Sequence, residues 1–355
     1  MKRIAFTGGG SIGHVAVNVA LIPYFQQKGY ETFYIGSKNG IEKEMISELD
    51  NVPYYAISSG KLRRYFDLKN FSDPFKVMKG IADAVHILKR EKPDFVFSKG
   101  GFVSVPVAIA AKLLKIPIVL HESDVTPGLA NKISIRFANH IFTTFEQTAE
   151  HLPANQATPI GAIIRDNLFS GDKDKGLQWS GFSTEKPILL VMGGSLGSKA
   201  INDAIRSNLD ELLLKYQIIH LTGKGLLDTH YQRAGYQQYE FITNELNDIL
   251  AMTDFVVSRA GSNSIFEFLA LKIPMLLIPL SNQASRGDQI LNAAYFEKQG
   301  YALVLNEEDV TSQTLMEQLS NLEQQAPTIK ETMATYKMQT SLEDFYQLIL
   351  QHTNN

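Results

Sequence analysis

The feature that most constrains this chain is a turn that occurs twice. An apolar run at 4–7 ends in Gly8-Gly9-Gly10-Ser11-Ile12-Gly13-His14, and another at 188–192 ends in Gly193-Gly194-Ser195-Leu196-Gly197. A strand that runs through glycines into a helix opens a βαβ unit. Glycine permits positive φ and lets a ligand approach bare backbone, and the first turn of the helix offers free N–H groups and a partial positive charge to an anion. The same turn opening each half predicts two Rossmann-like domains.

The rest of the pattern agrees. Further β-rich apolar runs lie at 32–35, 54–57, 95–98, 118–121 and 141–144, then at 218–221, 239–242, 255–258, 275–278 and 302–305. Helical patterns fill the gaps, for example at 15–28, 76–90 and 264–271. Alternation with nearly continuous apolar strands signals an α/β chain with parallel sheets covered on both faces. Ligands on such sheets bind beyond the carboxyl ends of the strands. The hydrophilic stretch 171–176 is the expected boundary, and 341–351 reads as a capped helix able to pack back on the first domain.

Bulk properties exclude several classes. At 355 residues the chain exceeds one ordinary core. A net charge of −3 gives no global argument for nucleic acid. The absence of cysteine excludes disulfides, thiolate-bound zinc and thiol catalysis. Met1-Lys2-Arg3-Ile4 runs into the first strand without a signal-peptide pattern. The most apolar stretch, 103–120, is interrupted by Pro106, Lys112, Lys115 and Pro117, so membrane contact is expected to be peripheral.

Three segments carry chemistry. Gly8 to Gly13 satisfies the dinucleotide spacing, but the acidic residue near the expected distance, Glu31, begins the second strand instead of ending it. His14 opens the following helix, whose positive end favours a neutral imidazole able to take a proton; a helix-start histidine bonded to backbone is the other reading. In the second half, Arg259-Ala260-Gly261-Ser262-Asn263-Ser264 precedes Glu267. Hydroxyls, an amide and helix-end N–H groups there suit a diphosphate, with Glu267 on a ribose diol. Ser264-x-x-Glu267 is equally a capping box. Gln289 and Asn292 share a helix face and can read sugar hydroxyls. Asp172-Lys173-Asp174 has the spacing of a metal-binding pair but sits among Gly and Lys, as a solvated linker would.

Taken in order, these segments resemble the MurG family of N-acetylglucosaminyltransferases. The family's G-G-T-x-G-H stands as Gly9-Gly10-Ser11-Ile12-Gly13-His14, its second glycine pair as Gly100-Gly101, and its H-E-x-N as His121-Glu122-Ser123-Asp124 before Pro127-Gly128-Leu129-Ala130-Asn131. Its G-N-P-V-R stands as Gly161-Ala162-Ile163-Ile164-Arg165, and the later patterns fall at Gly193-Gly194-Ser195, 259–267 and 289–292. Two departures are plain: Asp124 replaces Asn, and Ala162-Ile163 replaces Asn-Pro.

The resemblance implies a GT-B fold, two Rossmann-like domains facing across a cleft, with an acceptor domain at 1–163, a donor domain at 164–339 and a terminal helix at 340–355. It implies an inverting transfer from UDP-N-acetylglucosamine to the muramyl 4-hydroxyl of lipid I, with no metal and no cofactor. Donor contacts are implied at Ser11, Ile12, Gly13, Arg165, Ser195, Ile242, Ser262, Asn263, Ser264, Glu267, Gln289 and Asn292. The acceptor diphosphate is expected at Gly10, Gly13, Gly100 and Gly101. For the base, His14 is set against Glu122 and Asp124. The expected location is the cytoplasmic face of the membrane, among cell-wall synthesis and division proteins. Lys61, Arg63, Arg64, Lys69, Lys76 and Lys79, interleaved with Tyr65, Phe66, Phe71 and Phe75, suit docking on anionic lipid. Another lipid-directed UDP-sugar transferase, a UDP-N-acetylglucosamine 2-epimerase and a non-catalytic scaffold are the alternatives.

Overall fold

The computed structural model describes residues 2–60, 73–153, 155–194, 197–281 and 287–353. It divides into two units, Met1–Arg165 with Met338–Asn355, and Asp166–Lys337. The first contains strands β1 (Arg3–Thr7), β2 (Glu31–Ser37), β3 (Tyr54–Ile57), β4 (Phe95–Ser98), β5 (Ile118–Glu122), β6 (His140–Thr143), β7 (Ala157–Pro159) and β8 (Ala162–Ile163). Its helices are α1 (Gly13–Gln27), α2 (Ile41–Ser47), α3 (Asp73–Glu91), α4 (Ser104–Leu113), α5 (Leu129–Ser134) and α6 (Glu146–Glu150). Seven strands form one parallel sheet in the order β3-β2-β1-β4-β5-β6-β7.

Side chains alternate across each strand, and both faces are apolar. Ile4, Phe6, Phe95, Phe97, Val119 and Phe142 face one core, and Ala5, Val96, Ile118, Leu120 and Ile141 face the other. The first core is closed by Leu21, Ile22 and Phe25 of α1, the second by α3 and α4 through Ile87, Leu88, Val107 and Ala111.

The second unit repeats the plan. It contains α7 (Lys173–Ser180), β9 (Ile188–Met192), α8 (Lys199–Ser207), α9 (Leu209–Lys215), β10 (Gln217–Leu221), β11 (Tyr236–Tyr239), α10 (Leu246–Met252), β12 (Phe255–Ser258), α11 (Ser262–Leu271), β13 (Met275–Leu277), α12 (Asp288–Lys298), β14 (Ala302–Val304) and α13 (Ser312–Ala334). Its sheet, β11-β10-β9-β12-β13-β14, is also parallel throughout. The chain then returns to the first unit as β15 (Gln339–Thr340), paired with β8, and α14 (Leu342–Thr353). The Ser341 hydroxyl caps α14 by accepting the Asp344 N–H at 3.1 Å. Phe345 packs edge-on to Phe142 at 5.1 Å and Tyr346 to Phe25 at 5.0 Å, extending the core under α1.

Two expectations shift. The stretch 171–176 is no linker: Asp172 caps α7 by accepting the N–H groups of Asp174 (2.9 Å) and Lys175 (3.3 Å), and the unit boundary lies upstream at Arg165. The strand expected at 239–242 is β11, three residues earlier. As the sheet's edge strand it is only half-buried, so polar Gln237 and Gln238 occupy positions that an apolar run would miss.

Candidate functional site

In each sheet the strand order reverses beside its first strand, and the crevice at such a switch point is where ligands bind. In the first unit that point is the carboxyl end of β1 and β4. The turns Gly8–Gly10 and Gly100–Gly101 meet there: the Gly9 N–H donates to the Gly100 carbonyl at 3.2 Å. Gly101 has φ +86°, and a Cβ on it would overlap the Gly9 carbonyl oxygen, so this turn requires glycine.

His14 enters α1 directly after the turn. Its Nδ1 lies 3.1 Å from the Gly9 carbonyl oxygen. A carbonyl only accepts, so Nδ1 carries the proton and the lone pair of the neutral ring is on Nε2. The backbone-bonded reading of a helix-start histidine is thus met at Nδ1. Helix α1 starts with Ile12 already helical and no side-chain cap; Ser11 and Ile12 are exposed and Gly13 is its first residue.

The sequence gives no hint of what lies beneath this turn. Glu42, wholly buried in α2, accepts the Gly10 N–H on Oε2 at 3.2 Å and the Ser37 N–H on Oε1 at 3.0 Å. The Ser37 hydroxyl also donates to Oε1. The Gly10 N–H is thus engaged, and the Gly100 N–H donates to the Ser98 hydroxyl at 3.2 Å. Neither of these N–H groups points to a diphosphate, contrary to the expectation for those two glycines; of the four, Gly13 stands at the helix end.

At the carboxyl end of β5, Glu122 organises the next loop. Its Oε1 accepts the N–H groups of Ser123 (2.8 Å) and Asp124 (3.0 Å), and its Oε2 accepts Gly128 N–H (3.0 Å) and Asn131 Nδ2 (2.9 Å). Burial pushes this carboxyl up, with the Asp124 charge adding to the effect and Lys99 opposing it. Four donors on two oxygens leave no room for a substrate hydroxyl, which corrects the expectation of Glu122 as a base. Lys99 is buried beside it, donating to the Ser123 hydroxyl at 2.8 Å; burial lowers its pKa against the pull of Glu122 and Asp124. Asp124 is half-buried, its carbonyl accepting the Thr148 hydroxyl at 3.1 Å. Arg165 is half-buried and belongs with the first unit, not with the second as its donor role implied.

In the second unit the switch point is the carboxyl end of β9 and β12. Ser195 lies outside the described residues. Helix α11 begins at Ser262 with Gly261 as an extended N-cap and no side-chain cap. Ser264 is therefore inside the helix, and the capping box it would form with Glu267 is not the N-terminus. The N–H groups of Ser262, Asn263 and Ser264 open the helix, where no intrahelical acceptor exists. Asn263, Ser264 and Glu267 are half-buried and Ser262 is 7% exposed. Ile242 is buried in the loop after β11, next to exposed Phe241.

Arg259, Asn292 and Gln289 are each engaged inside the second unit. Arg259 is 7% exposed and fully engaged inside the unit, donating to the Ile278 carbonyl (3.1 Å), the Pro279 carbonyl (3.2 Å), the Ser198 hydroxyl (2.6 Å) and Glu307. Asn292 is wholly buried and donates to the Ala260 carbonyl at 3.2 Å, so it braces the loop before α11. Gln289 is half-buried, with Oε1 accepting the Leu280 N–H at 3.0 Å.

Two parallel α/β units with glycine-rich turns at both switch points define the fold of the GT-B glycosyltransferases. The crystal structure of Acinetobacter baumannii MurG matches with a TM-score of 0.80 over 99% of this chain and 100% of that one, at 24% identity. The chain belongs to glycosyltransferase family 28, whose N-terminal domain matches residues 4–143 and whose C-terminal domain matches 188–349. It is 58% identical to the UDP-N-acetylglucosamine--N-acetylmuramyl-(pentapeptide) pyrophosphoryl-undecaprenol N-acetylglucosamine transferase of Staphylococcus carnosus (strain TM300), over 100% of this chain and 98% of that one. Identity to the protein of the same name from Staphylococcus aureus (strain NCTC 8325 / PS 47) is 56%, over 100% of both.

Proposed function

We propose that this chain transfers N-acetylglucosamine from UDP-N-acetylglucosamine to the 4-hydroxyl of the N-acetylmuramyl group of lipid I, inverting C1. The observation that carries the mechanism is the Nδ1–H bond of His14 to the turn it follows. With Nδ1 occupied, Nε2 takes the proton of the attacking hydroxyl while the bond from C1 to the UDP oxygen breaks. The negative charge on departing UDP is met by the open N–H groups of α11, with Glu267 on the ribose and the backbone at Ile242 on the uracil. The first unit receives the acceptor and the second the donor, with Gln289 reading a sugar hydroxyl and Asp124 facing the acceptor.

Lipid I is membrane-held, and no helix among the described residues is long and apolar enough to cross a membrane. We assign docking to the basic aromatic segment that leads into α3. Residues 61–72 lie outside the described residues, but Phe75 and Met78, at the start of α3, are 74% and 67% exposed. Together with Lys76 and Lys79 they support contact with anionic lipid on the cytoplasmic face. Binding to anionic vesicles should fall steeply with salt; salt-insensitive binding would count against it.

The test is transfer of labelled sugar to a lipid I analogue in EDTA. Transfer, together with a loss in kcat of about 10²–10⁴-fold in His14→Ala, supports the reading. Transfer only with added divalent metal would overturn the metal-free leaving-group scheme. An unchanged kcat in His14→Ala would move the base to Asp124.

A further inference from the structure

Glu42 and His14 grip opposite ends of one peptide group. The Gly10 N–H donates to Glu42 Oε2 at 3.2 Å, and the Gly9 carbonyl, the other half of the same peptide, accepts His14 Nδ1–H at 3.1 Å. The sequence of contacts is carboxylate, peptide, imidazole.

The arrangement is built from several sides. Glu42 is 0% exposed, and all three donors it accepts, from Gly10 and twice from Ser37, are neutral. Gly40 and Gly9 make its space: a Cβ on either would run into the carboxylate. The Tyr54 hydroxyl donates to the Ser37 carbonyl at 2.6 Å, holding the segment that holds Glu42. From the far side, the Tyr34 hydroxyl donates to the Gly8 carbonyl at 2.9 Å, and Asn18 Nδ2 donates to the Thr7 carbonyl at 3.1 Å and to Tyr34 at 3.0 Å. A buried charge bonded only to neutral groups is an expensive way to fasten a turn.

We propose that Glu42 is a positioning residue for His14, acting through the Gly9–Gly10 peptide. A negative acceptor on the N–H raises the electron density on the carbonyl of that peptide and strengthens its hold on Nδ1–H. The ring is thereby fixed in the Nδ1–H tautomer with its lone pair on Nε2, and the imidazolium formed in the reaction has a fixed negative charge behind it. This is the orienting role of the carboxylate in a serine protease triad, with a peptide interposed. The acceptor's proton goes to Nε2, Nδ1 keeps its own, Glu42 remains a carboxylate, and nothing passes through the peptide. The proposal rests on the reading of His14 as the base.

The experiment combines ¹⁵N NMR of the histidine side chains with kinetics of Glu42→Gln, His14→Ala and the double variant. The His14 signal is the one absent from His14→Ala. In the unaltered protein at neutral pH it should show the Nδ1–H tautomer, which free histidine disfavours; an Nε2–H tautomer overturns the proposal even if Glu42→Gln does not fold. A direct carboxylate–imidazole pair is worth roughly 10⁴-fold, and through a peptide we expect a drop in kcat of about tenfold with donor KM unchanged. In the His14→Ala background Glu42→Gln should add nothing. Equal losses in both backgrounds, or no loss in either, overturn the proposal. Full activity in His14→Ala would sink the base assignment, and with it the catalytic half of this one. A shifted His14 ¹⁵N signature in Glu42→Gln would still test the coupling separately.

Discussion

Arg259→Ala tests how the second unit holds its loops. The guanidinium joins the residue after Gly197, the carbonyls ending the β13 segment and Glu307, whose other oxygen accepts the Ser281 N–H at 3.1 Å. Truncation leaves the Glu307 carboxylate, 19% exposed, without its cation, and the Ile278 and Pro279 carbonyls without donors. Breaking a buried pair from one side costs about 3–5 kcal/mol, and a stripped buried carbonyl about 1–3 kcal/mol before water enters the space. We expect a net loss of about 4 kcal/mol, a large share of the roughly 5–15 kcal/mol a domain possesses. At about 2–4 °C per kcal/mol, the second unit's calorimetric transition should fall by about 8–16 °C. UDP affinity, followed by titration calorimetry, should fall with it as the loops loosen. Replacing both partners, Arg259→Met with Glu307→Met, should recover at least about 2 kcal/mol, because a buried pair exchanged whole is often neutral. Burial pushes the Glu307 carboxyl up, but the Arg259 bond, the Ser281 N–H and the guanidinium charge outweigh it and hold it below its usual range. The pair's stabilisation is therefore present above the unfolded carboxylate pKa of about 4.3 and is lost as pH falls through the lower folded value. A loss under about 1 kcal/mol in Arg259→Ala, or a double variant no better than the single, would refute this account.

Gly101→Ala should cost at least about 2 kcal/mol in thermal melts and abolish transfer, since the residue combines φ +86° with contact against the Gly9 carbonyl. Ser341→Ala removes the α14 cap and should lower urea stability by about 1 kcal/mol with kcat untouched. Burial lowers His220 to about 3 and His140 to about 4, so the folded state refuses protons that the unfolded chain takes up near pH 6.5. Stability should therefore fall as pH drops below about 6.5, by up to about 1.4 kcal/mol per pH unit per site, and proton uptake on unfolding at pH 5 should be about one fewer in His220→Gln.

The strands were legible because a parallel strand buried on both faces leaves an unbroken apolar run, as β1, β5 and β9 do. β11 slid because an edge strand does not. The two-residue strands β8 and β15 have no signature of their own; they exist because residues 162–163 and 339–340 lie side by side where the chain leaves and re-enters the first unit. The place of His14 was legible because the strand, turn and helix on either side of it fix where it stands. Glu42 was not, because in sequence it is an acidic residue near the start of a helix, which usually faces solvent. Only the third dimension brings it under Gly9 and Gly10. The internal partners of Arg259 and Asn292 were hidden for the matching reason. Each sits at a correct-looking place for ligand contact, but Glu307 and the Ala260 carbonyl reach them first.

The two glycine turns look alike in sequence and are backed by opposite chemistry. In the proposed mechanism, displacement at C1 makes the base positive and the leaving group negative. Behind the first turn stands a carboxylate whose donors are all neutral, so its charge is uncompensated there and favours an imidazolium on His14. Behind the second stands a guanidinium already paired with Glu307, so it contributes order more than charge, and the proposal leaves departing UDP to the N–H groups that open α11. The two charges should therefore fail in different ways. Glu42→Gln should lower kcat with UDP affinity unchanged, whereas Arg259→Ala should lower the melting temperature and UDP affinity together. If Glu42→Gln instead weakened UDP binding, or Arg259→Ala spared it, this division of labour between the turns would be wrong.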